Sequence, residues 1–359
     1  MKTLHPIIVI GSGPAGISAA YTLVSLGKKV LMLDVGYQLE ENKKAILKKL
    51  QEIKTSFWSA SNLWDELKGK MKVTARGVEK KLIFGSDFPY KIPKETLNVI
   101  QKETDVLISH AKGGLSNAWG ANLYPFSEKE LSAWPNNELN SYYPIVEKFL
   151  PVATDKDYYD EHKLPFKKVS HLPLSNQAKL FYRDLLDSRD SLSQQGITFS
   201  PSLLAVKGVE EGCILCGKCL YGCPFGCIYS SATTLEQLKK SPLFTYLSGI
   251  YLKHLEESKS KVKLYCVNLS SGEKMSFTAS KVYLGAGSVS STRILAESLS
   301  LYNTPLTFQE SQYFILPIFR FKGSRGVEKE NLHSLSQIVI SLDNKSISPK
   351  PVHLLVYTY

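Results

Sequence analysis

The feature that most constrains this chain lies within its first thirty-six residues. Ile7-Ile8-Val9-Ile10 is a continuous apolar, β-branched run, the pattern of a strand buried on both faces of a parallel sheet. It runs straight into Gly11-Ser12-Gly13-Pro14-Ala15-Gly16, after which Ile17, Ala20, Tyr21, Leu23 and Val24 follow helical spacing. Gly27 supplies a stop, and Val30-Leu31-Met32-Leu33 predicts a second buried strand ending at Asp34. The segment reads as a β-α-β unit with GxGxxG at its strand-to-helix turn.

Each residue type has a physical job at such a turn. Gly11 permits the tight bend, Gly13 lets the backbone approach a pyrophosphate, and Gly16 lets the helix pack close on the strand. Phosphates would sit at the helix start, beside Pro14 and Ala15, where free N–H groups and the macrodipole favour anions. Asp34 can accept hydrogen bonds from ribose hydroxyls. Gly36 completes an xxDxG pattern that resembles FAD-binding proteins of the glutathione-reductase type more than nicotinamide dehydrogenases. Gly11 to Gly16, Asp34 and Gly36 are therefore the first candidate cofactor-binding residues.

Two later places share this logic. Val106-Leu107-Ile108 leads towards Gly113-Gly114-Leu115-Ser116-Asn117-Ala118-Trp119-Gly120-Ala121, whose small residues mark a backbone that comes close to something. Lys281-Val282-Tyr283-Leu284 is another strand, running into Gly285-Ala286-Gly287, and Ser288 to Leu295 then predicts a helix with hydroxyls available as N-caps. Together with the N-terminal motif these segments resemble the glucose-methanol-choline (GMC) family of FAD oxidoreductases. The Gly-Gly loop, with Trp119 where many members have Asn, is nearer to the pyranose oxidase and gluconate/glucose dehydrogenase branch. The resemblance implies FAD contacts at Gly113, Gly114, Ser116, Asn117, Trp119, Gly120, Ala286 and Gly287. Ala118 stands where some of those relatives carry a flavin-linking His, so noncovalent FAD is expected.

Five of the six cysteines fall between positions 213 and 227. Cys213, Cys216, Cys219 and Cys223, with Pro224 after the last, form C-x2-C-x2-C-x3-C-P, the spacing of bacterial ferredoxins. Zinc usually takes two separated C-x2-C pairs, so this spacing favours a 4Fe-4S or 3Fe-4S cluster; zinc and a site without metal stay open. In two-cluster ferredoxins the Cys before Pro serves the other cluster, which leaves Cys223, Cys227 or Cys266 to complete the set. Sorbitol- and glucose-type dehydrogenases of the branch carry a comparable loop, whose cluster passes electrons from flavin to a cytochrome. Cys266 itself lies in the alternating run Val262 to Val267 and reads as a core residue.

The rest of the chain sets bounds. At 359 residues and a net charge of +11, it is long enough for two domains or one large interleaved one. Much of the charge is Lys between Lys43 and Lys81, interleaved with acids, which reads as solvated surface, a peripheral membrane or acidic-partner face being the other reading. No nucleic-acid motif, signal peptide or membrane span is visible, and a cytoplasmic location is expected. Leu39 to Leu67 reads helical, Met71 to Asp105 mixed, and Phe314 to Phe321, Ser336 to Leu342 and Val352 to Tyr357 as strands. His110, His333 and His353 lie in no recognisable motif and read as structural.

The expected fold is α/β: a Rossmann-like FAD-binding domain of the glutathione-reductase type with a mixed-sheet substrate domain. Its parts are residues 1–130 and 236–300 for FAD, an inserted segment 131–235 with the cysteines, and the start of the substrate domain at 301–359. Family members place the reacting His base in a later segment, so the substrate domain is expected to be C-terminally incomplete and no catalytic residue is assigned. The resemblance implies oxidation of a CH–OH group in a sugar, polyol or long-chain alcohol, with electrons passing on to a cytochrome or quinone. A truncated homologue that binds FAD without turnover, or an electron-transfer flavoprotein, are the other readings.

Overall fold

The structure is a computed structural model. It describes residues 4–58, 61–68, 81–94, 96, 100, 102, 106–126, 128–132, 138–159, 165–309 and 314–358. Part of the mixed stretch expected between Met71 and Asp105, and of the lysine-rich run ending at Lys81, lies outside the described residues.

The chain begins with β1 (Leu4–Ile10), α1 (Pro14–Ser25), β2 (Val30–Leu33), α2 (Glu41–Glu52) and α3 (Leu63–Lys68). Next come α4 (Glu128–Leu131), α5 (Leu139–Val146), β3 (Ala153–Thr154), β4 (Ser170–His171), α6 (Asn176–Asp187), α7 (Arg189–Gln194) and β5 (Ile197–Pro201). The remainder supplies α8 (Ser231–Leu238), β6 (Phe244–Leu247), β7 (Ile250–Glu257), β8 (Val262–Asn268), β9 (Lys274–Leu284), α9 (Ser288–Ser298), β10 (Ile338–Leu342) and β11 (Val352–Val356). Contacts divide the chain into two units. The first holds Met1–Glu52, Phe57–Trp119 and Ser230–Gln309; the second holds Ile53–Ser56, Gly120–Tyr229 and Glu310–Tyr359.

The first unit is built on a six-stranded sheet in the order β6-β2-β1-β9-β8-β7. β6, β2, β1 and β9 run parallel, while β9, β8 and β7 form an antiparallel meander. The expected α/β class holds, with a mixed parallel and antiparallel sheet. Side chains alternate across a strand, and both faces of β1 and β2 are covered. Ile8, Ile10, Leu31 and Leu33 pack with Leu252, Leu264, Cys266 and Ile294 on one side. Val9, Val30 and Met32 pack with Ile17, Ala20, Leu235 and Phe244 on the other. That double burial is why β1 reads as an uninterrupted apolar run, and it confirms Cys266 as a core residue.

At the β1–α1 turn Gly11 donates its N–H to Leu33 O (2.9 Å). A side chain at Gly16 would overlap the Gly11 carbonyl, so only glycine lets α1 come this close. Gly285 closes the junction from β9, donating to Ile10 O (2.9 Å).

The second unit carries an antiparallel sheet in the order β11-β10-β5 and a parallel pair, β3 with β4. Leu174, Ala178, Tyr182 and Ile338 form one of its buried clusters. Expected strands at Ser336–Leu342 and Val352–Tyr357 correspond to β10 and β11. Phe314–Phe321 does not become a strand: Pro317 lacks an N–H for a ladder, no described strand pairs with the segment, and Phe314, Ile315 and Phe319 are 82, 92 and 83% exposed. The long helical reading of Leu39–Leu67 resolves into α2 and α3 with a short 3-10 turn at Thr55–Phe57 between them. No described helix is long and apolar enough to cross a membrane.

Candidate functional site

β1, β2 and β9 end side by side, and their carboxyl ends open on a cavity of about 230 Å³ in the first unit. Ligands of open α/β sheets collect at such strand ends. The lining brings together Gly11 to Ala15, Asp34, Gly114, Ala286 and Gly287 from the predicted set. α1 begins here with Gly13 as N-cap, Pro14 in the first turn and no side-chain cap, so its first N–H groups face the cavity without a competing side chain. Gly114 lies against this turn; a Cβ on it would stand 3.0 Å from Gly13 Cα.

Asp34 is buried, and burial pushes its carboxyl up to about 6. The Ser12 hydroxyl donates to its Oδ2, and so does Tyr246 at 3.0 Å. Ser12 also accepts the Gly113 N–H (2.9 Å), which ties the Gly-Gly loop to the first turn. Gly36 lies against Tyr246 and Asp34.

Other predicted residues shape the Gly-Gly turn instead of lining the cavity. Ser116 donates to Gly113 O (2.5 Å) and accepts the Ser231 N–H (2.9 Å). Asn117 donates to Lys112 O and Gly114 O at 2.9 and 2.8 Å, and accepts from the Ser230 hydroxyl (3.0 Å). The Trp119 carbonyl accepts from Lys81 (2.9 Å). Gly120 belongs to the second unit, where its carbonyl accepts from Asn122 (3.3 Å). The serines expected to cap α9 do not do so: Gly287 is the N-cap, with no side-chain cap bond.

Sequence reasoning missed three residues. Tyr246 reaches Asp34 because β6 pairs with β2, placing Tyr246 beside Met32. Tyr251 lines the cavity next to His110, their ring centroids 6.2 Å apart. The Arg293 guanidinium lies 5.1 Å from the Tyr251 ring centre and donates to Leu252 O (2.8 Å). His110 Nδ1 and Tyr251 Oη are buried without a hydrogen-bond partner among the described residues. Burial, and then the Arg293 charge, lower the His110 imidazole to about 4, so it is neutral near pH 7. No local pattern marks these three: Tyr246 comes in through the β2–β6 pairing, Tyr251 on β7, and Arg293 from α9, which packs on β7.

In the second unit the cysteine loop turns sharply. Leu215 takes φ +54°, unusual for a branched side chain, and Gly217, Gly222 and Gly226 also have positive φ. Every predicted ligand sulfur accepts a backbone N–H: Cys213 from Leu215, Cys216 from Lys218, Cys219 from Ser334, and Cys223 from Phe225, Cys227 and Ile228. Burial raises the Cys213 and Cys216 thiols and takes Cys219 up to about 12. Cys223 goes the other way, lowered by hydrogen bonding at Cys227, whose backbone N–H donates to the Cys223 sulfur at 3.2 Å while its thiol reaches Phe225 O at 4.0 Å.

Among the described residues, Asp155, Asp157 and His171 are the group of three potential ligands whose donor atoms lie within 4.8 Å of one another. Asp155 is already engaged by the N–H groups of Asp157 (3.0 Å) and Leu174 (2.7 Å). No three cysteine sulfurs gather that closely.

The fold and cavity define a chain of the α/β class with a ligand cradle at the carboxyl ends of its parallel strands. No protein-family model matches it, and no curated protein does. Among solved structures it is similar to pyridoxine 4-oxidase from Mesorbium loti, with 14% identity and a TM-score of 0.46, covering 82% of this chain and 52% of that one. It is also similar to p-nitrophenol 4-monooxygenase PnpA from Pseudomonas putida DLL-E4, with 12% identity, a TM-score of 0.28, and coverage of 82% and 43%. The flavin-dependent monooxygenase PieE, solved with FAD and substrate, gives 8% identity, a TM-score of 0.26, and coverage of 78% and 30%. The chain thus spans about half the length of the first and less of the other two.

Proposed function

We propose that this chain is an FAD-dependent oxidoreductase acting on CH–OH groups, with a sugar, polyol or long-chain alcohol as substrate. The observation that carries the reading is the cradle itself. Gly13 and Gly114 back onto each other at an uncapped helix start, and a buried acid stands at the end of β2. These residues fit a dinucleotide: the α1 N–H groups would hold the pyrophosphate, and Asp34 would accept from a ribose hydroxyl. The partnerless His110 Nδ1 and Tyr251 Oη add two polar atoms at the same cavity. When bound, FAD supplies hydride acceptance from the alcohol carbon. The chain's own residues bind and orient it.

The cysteine loop adds an electron outlet to this reading. The regular C-x2-C-x2-C spacing favours an iron-sulfur cluster over zinc, which usually takes two separated C-x2-C pairs. Thiolates dressed by backbone N–H groups suit an iron-sulfur cluster, whose potential such bonds tune. A cytochrome or quinone would then take the electrons. The same loop favours a second reading, an electron-transfer flavoprotein without alcohol chemistry.

Anaerobic purification with FAD, iron and sulfide quantified tests the proposal. Bound FAD that bleaches with a CH–OH compound is the expected result. FAD that no alcohol bleaches would leave the electron-transfer reading, and absence of FAD would overturn both.

A further inference from the structure

The second unit carries an uncovered apolar run. Phe314, Ile315 and Phe319 stand almost wholly in solvent, Leu316 and Ile318 are 70 and 63% exposed, and Phe321 is fully exposed. Three phenylalanines this exposed offer on the order of 500 Å² of apolar surface before the aliphatic residues are added. Monomeric proteins seldom leave a larger contiguous patch uncovered, and such a patch marks an interface.

Two observations choose what covers it. The first is the absence of alternation. Side chains of an extended segment alternate between two faces, and a strand edge or protein groove reads one of them. Here the consecutive residues Phe314, Ile315 and Leu316 are all exposed, and Pro317 offers no N–H to a pairing strand. A lipid layer, in contrast, takes up apolar side chains on every side. The second observation is charge. From Phe314 to Val327 the chain carries Arg320, Lys322 and Arg325 and no acid. Arg320 turns back onto α6: its Nε and Nη2 donate to Asp184 (2.6 and 3.1 Å), and its Nη1 donates to Lys322 O (2.5 Å). That fork ties the run to the unit and leaves Lys322 and Arg325, both exposed, as the cations that follow Phe319 and Phe321. Phenylalanine and leucine beside lysine and arginine suit the interface of an anionic bilayer.

We propose that residues 314–325 dock the protein on an anionic lipid surface. The apolar side chains enter the boundary between headgroups and acyl chains, while Lys322 and Arg325 meet the anionic headgroups. The docking is shallow, because an irregular backbone keeps its N–H and C=O groups near water. This surface stands apart from the flavin reading, so FAD content neither supports nor overturns it.

Co-sedimentation of the purified chain with two kinds of vesicle tests the proposal: phosphatidylcholine alone, and phosphatidylcholine with phosphatidylserine at three to one. Wild type should favour the mixed vesicles. Ile315→Ser/Phe321→Ser should bind them about tenfold more weakly, and Lys322→Glu/Arg325→Glu should lose the preference for phosphatidylserine. Ile347→Ser, at an exposed apolar residue elsewhere in the same unit, should bind as wild type does. Should the serine double variant fail to fold, the charge variant decides. Wild type that binds both vesicle types equally, or neither, would overturn the proposal, as would a folded serine variant that binds like wild type. A concentration-dependent dimer in sedimentation velocity, abolished by the serine pair and formed without any vesicle binding, would overturn it in favour of a second copy of this chain.

Discussion

Ser12 and Asp34, twenty-two residues apart, meet in the core of the first unit: the Ser12 hydroxyl donates to Asp34 Oδ2 and accepts the Gly113 N–H. One side chain thus links the first turn, the end of β2 and the Gly-Gly loop, three segments that the proposed function needs in register.

Replacing Ser12 by Ala leaves the buried Gly113 N–H without a partner, a loss on the order of 1–3 kcal/mol. The expected outcome is a lower urea midpoint with an unchanged m-value, together with weaker FAD binding by equilibrium dialysis. Unchanged FAD affinity would show that the Gly-Gly loop keeps its place without this link.

Asp34 gives a pH test. Its carboxyl stands at about 6 in the fold against 3.8 unfolded, because burial disfavours the charge. Folding therefore favours the protonated form; that stabilisation is complete below about pH 4 and is lost as the pH rises through about 6. Asp34→Asn cannot ionise, so without FAD it should gain on wild type as pH rises, by up to about 3 kcal/mol at pH 8. Urea unfolding at pH 5 and pH 8 measures the gain. FAD affinity should fall roughly tenfold in the same variant, since a neutral amide is the poorer acceptor for a ribose hydroxyl. A pH-independent difference in stability would place the carboxyl in a more polar setting than the fold gives it.

What could be read from the chain follows distance along it. β1, α1 and β2 were legible because strand, glycine turn and helix are contiguous, and because burial on both faces leaves an uninterrupted apolar run. Tyr246 was not: it contacts Asp34 only through the β2–β6 pairing, 212 residues away. Ser116 and Asn117 were found as a motif, but their bonds to Ser230 and Ser231 show them shaping the turn, a role no local spacing could distinguish from lining the cavity. Phe314–Phe321 shows the converse error. Its apolar, β-prone composition satisfies a strand template, yet a strand needs a neighbour, and that is a tertiary fact.

Two histidines, His333 buried and His110 half-buried, should make the protein acid-sensitive. His110 and His333 are each lowered to about 4, chiefly by burial. A neutral imidazole contributes stability that is present above about pH 6.5 and is lost as the pH falls through about 4. Each contributes up to about 3 kcal/mol across that window. His110→Phe should flatten the fall in stability between pH 7 and pH 4, as should His333→Phe, and the double variant should flatten it most. Urea midpoints measured across this range, with a slope as steep in the double variant as in wild type, would refute the assignment.

Gly16 and Gly27, at the two ends of α1, separate close packing from backbone conformation. At Gly27 the cost is conformational alone: φ is +73° and nothing lies within 4 Å of an added Cβ, so Gly27→Ala should lose about 1–2 kcal/mol and leave FAD binding intact. At Gly16 the added carbon would overlap the Gly11 carbonyl, whose position is fixed by β1 and by the Gly11 N–H bond to Leu33 O. Relief requires α1 to move off β1 and carry its N-terminus away from the cavity. Gly16→Ala should therefore cost about 3 kcal/mol or more and lower FAD affinity at least tenfold, with Gly27→Ala as the matched control in urea melts and FAD titration. Equal effects at the two positions would mean that the approach of α1 to β1 is not what shapes the cradle.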